Sequence, residues 1–157
     1  MEHWLVYWRN YWQEKGNPTL VTADWHSSYD QLYEEAALGD EIWVVVTAPA
    51  PFEHQWRLLE RFSLQAKQTI DRASEGYRYL FVGAPQSHQV FDPMAPNDLT
   101  TILTSLAFAS DRPIRLSGRQ IGQALQVPRK LAALDAKKLD IFARGLPTVT
   151  DGALGTA

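Results

Sequence analysis

The sequence predicts an α+β fold: a strongly curved, mainly antiparallel sheet or small β-barrel with flanking helices. Three observations predict it. Short strand-like runs separated by loops occupy residues 3 to 91, and helical patterns dominate the last third. The strongest strand, 41–48, has no glycine-rich phosphate loop after it, which disfavours a parallel nucleotide-binding sheet. The 157 residues fit one domain, read as 1–145, with a loose tail at 146–157, LPTVTDGALGTA.

Taken in order, HWLVYWR at 3–9 is an aromatic strand with Trp4, Val6 and Trp8 on one face and Leu5, Tyr7 and Arg9 on the other. Asn10–Pro18 contains EKGNP and reads as a loop, and Thr19–Ala23 as a second short strand. A polar-aromatic loop, Asp24 to Ser28, leads into a helix over 28–38, where Tyr29, Leu32 and Tyr33 share a face and Ser27 or Ser28 caps it. Gly39-Asp40 turns the chain into EIWVVVTA, whose weak alternation marks a strand covered on both faces. Pro49 and Pro51 end it.

Residues 55–70, QWRLLERFSLQAKQTI, suit a helix by propensity and bent strands by their apolar spacing. YRYLFV at 77–82 is a strand ended by Gly83-Ala84-Pro85, and His88–Phe91 is a short strand or extended loop. Asn97 or Asp98 caps a helix over 99–109. In the last third, Ser117 caps GRQIGQAL, Val127-Pro128 interrupts, and Asp135 caps AKKLDIFAR with Gly145 as its stop.

Composition narrows the function. Apolar residues at 45% allow a packed core, and the absence of cysteine removes thiol catalysis, disulfides and cysteine-rich metal sites. No apolar run approaches ~20 residues and no basic leader follows Met1, so the chain reads as cytoplasmic without a membrane span. The net charge of -3 argues against holding nucleic acid by bulk phosphate attraction, though its distribution is uneven. Residues 1–56 carry -7 and all six tryptophans, whereas residues 101–144 carry +5.

The chemistry motifs are sparse. Neither GxxxxGK[ST] nor GxGxxG occurs, and Gly118 and Gly122 suit close packing. His3, His26, His54 and His88 form no metal-ligand spacing; a folded site could still gather His26, His54 and Asp24, but surface or hydrogen-bonding roles are the ordinary reading. GxSxG is absent, so a catalytic residue, a cofactor and a metal are all unassigned, and a small-substrate hydrolase ranks last.

What remains is the aromatic front. A flat ring needs apolar stacking surfaces and a few edge-directed polar groups. Trp8, Trp25, Tyr29 and Trp43 supply surfaces, and Asp24, His26, Ser27 and Arg9 supply polar groups, although a tryptophan in a small domain is more often core. Arg9, Arg119, Arg129 and Lys130 are candidate phosphate contacts, against an ordinary reading as solvated charge.

The early aromatic strand, the Asp24-Trp25 loop, the run Leu38-Gly39-Asp40-Glu41-Ile42-Trp43-Val44-Val45, and Ile121-Gly122-Gln123-Ala124-Leu125 through Pro128-Arg129-Lys130-Leu131 resemble the PUA-like superfamily, nearest its EVE-type and modified-base-reading domains. The resemblance implies a compact curved β-barrel with flanking helices that reads RNA, or modified bases in DNA, through an aromatic pocket. The chain departs from EVE-type domains in carrying Arg9-Asn10-Tyr11-Trp12 where they have a lysine–serine–glutamate-proline run. The expected function is therefore a non-catalytic DNA- or RNA-binding domain whose Trp8, Asp24, Trp25, His26, Tyr29 and Trp43 accept a flipped or modified base. A nuclease or other effector would act as partner. The alternative is a protein-interaction or homodimerisation module burying Trp8, Trp12 and Trp25.

Overall fold

The computed structural model describes residues 1–72, 76–109 and 120–149. Its centre is a mixed sheet built from β1 (His3–Tyr7), β2 (Asp24–Ser27), β3 (Glu41–Thr47), β4 (Trp56–Arg72), β5 (Tyr77–Gly83), β6 (Gln89–Val90) and β7 (Arg129–Leu131). The strand order is β2-β5-β4-β3-β1-β7, with β6 beside β4. Among the described residues only the β1–β3 pair is parallel, with Leu5 opposite Trp43; the other pairs are antiparallel. Short helices α1 (Tyr11–Glu14), α2 (Asp30–Glu35), α3 (Thr100–Thr104) and α4 (Gln120–Ala124) and the longer α5 (Ala133–Arg144) flank it.

The expected strongly curved sheet or barrel is not what forms: the sheet is open. Closure would need the terminal strands to bond each other. Instead β2 pairs with β5 alone and β7 with β1 alone. The stretch after β1, where further strand would be needed, is folded into α1 and a 3-10 turn at Pro18–Leu20. Side chains rather than backbone bonds bridge the gap, since the Trp8 and Trp25 rings meet edge to face at 6.4 Å.

Both faces of the sheet are covered, which explains the weak alternation of β3. Leu5, Trp43, Val45, Trp56 and Leu58 pack with α3, α4 and α5 through Leu103, Ile121 and Leu139. Trp4, Val6, Ile42, Val44, Val46, Phe62 and Phe81 form the opposite core with Tyr11 and Leu32. A bulge between Val44 and Val45 shifts the β3–β4 register by one residue, so that Leu58 and Phe62, which strict alternation would put on one face, enter different cores.

Local departures from the sequence reading have local causes. Thr19–Ala23 is not a strand; β2 begins at Asp24, in the stretch read as a loop, because pairing with Leu80 to Val82 of β5 supplies its backbone partners. The ambiguous 55–70 run is β4, shared between β3 and β5. Arg129–Leu131, in the third read as mainly helical, is a strand beside β1. Asp135 lies inside α5, where its carboxylate accepts N–H bonds from Ala132, Ala107 and Phe108. The expected Ser117 cap lies outside the described residues. No helix among the described residues is long and apolar enough to cross a membrane.

Candidate functional site

The open side of the sheet holds a pocket of about 210 Å³. It lies between the end of β1 (Val6 to Asn10), the β2 stretch from Asp24 to Tyr29, Tyr77 of β5, and Leu125, Gln126 and Pro128 of the α4–β7 connection. Ligand pockets that enclose drug-sized molecules run to roughly 300–1,000 Å³. This one suits a single ring system or side chain.

Its aromatic wall is fixed from behind. Trp8 meets the buried Tyr11 ring edge to face at 5.2 Å and donates its indole N–H to Glu14 at 2.8 Å. Trp25 packs edge-on against Trp8 at 82°, and its own indole N–H is buried with no hydrogen-bond partner among the described residues. An unanswered buried donor of this kind costs about 1–3 kcal/mol. His26 tilts against Tyr77 at 5.6 Å. Tyr29 closes the rim: its backbone N–H bonds Ser27 Oγ, and its hydroxyl donates to the Gln126 carbonyl, tying the end of β2 to the α4–β7 connection.

The structure thus gathers Trp8, Arg9, Asp24, Trp25, His26 and Tyr29 around one cavity. It does not bring Trp43 there. That ring is fully buried in the core facing α3 to α5, donates to His3 Nδ1 at 3.1 Å, and carries the Arg61 guanidinium 4.1 Å from its centre. Burial in turn lowers the His3 pKa below its ordinary value, against the opposing pull of Glu41. Sequence reasoning missed Glu14, Tyr77 and the Leu125-Gln126-Pro128 wall. Nothing local marks Tyr77 or Gln126 as a pocket residue, because they arrive from distant strands and turns.

The expected phosphate contacts do not converge. Arg9 is exposed at the mouth. Arg129 donates to the Ala124 carbonyl at 2.9 Å, Lys130 lies 3.9 Å from Glu2, and Arg119 is outside the described residues. Beside Arg9 stand Glu14 and Asp24, so the charged groups lining the cavity are acidic on balance. Trp8, Trp12 and Trp25 are not an open patch. All three are partly buried against the core, and Trp12 donates to the Thr47 carbonyl at 2.8 Å. Among the described residues no three His, Asp or Glu side chains are grouped to hold a metal. Comparisons with protein-family models, curated proteins and solved structures found no match.

Proposed function

We propose that the chain is a recognition module whose pocket seats one planar ring presented by a macromolecule, and that the ring is an unpaired or modified base of DNA or RNA. The observation that carries this reading is a single-ring cavity walled by Trp8, Trp25, Tyr29 and Tyr77, with the buried Trp25 indole N–H left without a partner among the described residues. Aromatic faces stack on any base, while Asp24, His26 and Arg9 offer groups for the base edge.

A second reading, a protein-interaction module, has its own observation. Glu14 and Asp24 line an aromatic cavity whose single cation is Arg9, a setting that favours a cationic side chain over a phosphate backbone. The partner would then present a lysine, arginine or methylated lysine.

Anisotropy titrations separate the two. Short labelled DNA and RNA, each carrying one modified or one unmodified base, are compared with peptides carrying lysine or trimethyl-lysine. The base reading expects saturable binding that depends on the base and weakens about tenfold or more in Trp25→Ala. Peptide binding with no response to any oligonucleotide would replace it with the second reading. Binding indifferent to Trp25 would remove the pocket from both.

A further inference from the structure

Outside the pocket lies a buried carboxyl that the pocket reading does not use. Glu60 of β4 is fully buried. Its Oε1 lies 2.9 Å from His88 Nε2, while its Oε2 has no partner among the described residues. His88 follows the 3-10 turn at Pro85–Ser87, faces the Phe62 ring and lines a separate cleft with Pro18, Val21 and Val90. Tyr11 of α1 is also wholly buried in the core that Phe62 and Leu59 share, and its hydroxyl is likewise unpartnered. Two groups act on the Glu60 carboxyl from separate elements, His88 from the turn and Asp24 from β2, and Glu60 in turn acts on the Tyr11 hydroxyl of α1. Among the described residues His88 is its one ion-pair partner.

This cluster connects to the pocket through packing. Tyr11 supports Trp8, Trp8 supports Trp25, and Asp24 is itself a lining residue. We propose that the Glu60–His88 pair is a proton latch: a proton on the buried Glu60 carboxyl keeps the core around Tyr11 closed, and its loss loosens the seating of Tyr11 and Trp8. An ionised carboxylate among Phe62, Leu59 and Tyr11 is poorly solvated, and one neutral imidazole leaves its second oxygen unanswered. Burial pushes the Glu60 carboxyl up to about 7, against the opposing pull of the His88 hydrogen bond and charge.

The direction of the pH effect follows. A carboxyl whose folded pKa is raised favours the folded state fully below its unfolded value near 4.5, and that favour is lost as pH rises through about 7. Urea unfolding from about pH 5 to about pH 8.5, with native tryptophan emission recorded at each pH, tests the latch in the wild type and in Glu60→Gln. The wild-type folded-to-unfolded ratio is expected to fall by up to about two orders of magnitude across that window. Native emission should titrate in parallel. Glu60→Gln should flatten both curves and be the more stable protein at about pH 8. A wild type whose stability holds or rises through the window would overturn the latch, as would a Glu60→Gln variant that keeps the wild-type profile. Should that variant not fold, His88→Gln gives a second readout. Removing the imidazole removes the pull that opposes burial at Glu60, so the emission midpoint must move to higher pH, and an unmoved midpoint overturns the proposal.

Discussion

Asp135 organises more backbone than any other charged side chain described. It is fully buried and accepts from Ala107 at 2.8 Å, Phe108 at 2.7 Å and Ala132 at 3.0 Å, holding Phe108 at a φ of 57°. Asp135→Ala leaves three backbone donors without their acceptor and should cost about 3 kcal/mol or more, read as a lowered urea midpoint. Gly83 is constrained by space instead. A β-carbon there would stand 2.4 Å from the Phe62 ring, so Gly83→Ala should destabilise by about 1–3 kcal/mol in the same assay. An unchanged midpoint in either variant would refute the corresponding contact. The sequence marked both positions, one as a helix cap and one as the end of a strand. It could not show Phe108 or Phe62 as their partners, because those contacts span 27 and 21 residues of chain.

At the scale of elements, the chain was legible where one local signal sufficed. β1, β3, β5 and α2 stand where alternation, valine content and helical spacing place them. It was illegible where pairing decided. QWRLLERFSLQAKQTI has helical propensity, yet two flanking strands hold it extended. DWHS has little strand character of its own, and β5 makes it one. The pocket shared this limit: its β1 and β2 residues were readable as an aromatic cluster, whereas its far wall depends on where Tyr77 and Gln126 arrive. The Tyr29 hydroxyl bond to Gln126 joins those two sides. Tyr29→Phe should lose about 1 kcal/mol, a drop of roughly 2–4 °C in Tm for a chain of this size. An unchanged Tm would mean that the tie contributes nothing.

For the whole molecule, the open sheet is what makes a site available. A closed barrel would pair the backbone of β2 on both sides, whereas here β2 has one partner strand and the opening beside it is filled by indole rings. The charge asymmetry of the sequence does not become a basic cradle around that opening. Arg129 and Lys130 face protein acceptors, and Arg9 stands with two acids. Oligonucleotide binding should therefore show a shallow salt dependence, with log affinity falling by about one to two per decade of salt. A steep slope near that of an extensive phosphate interface would place the binding elsewhere on the chain.

The most direct test of a ring-seating pocket is to follow the indole N–H signals of ¹⁵N-labelled protein while adding short oligonucleotides that carry a single modified or unmodified base. The signals of Trp25 and Trp8 are expected to move and saturate with a base-dependent affinity, while those of the buried Trp4 and Trp43 stay in place. Binding that leaves Trp25 and Trp8 unmoved, or no binding by any member of the series, would contradict a ring-seating pocket.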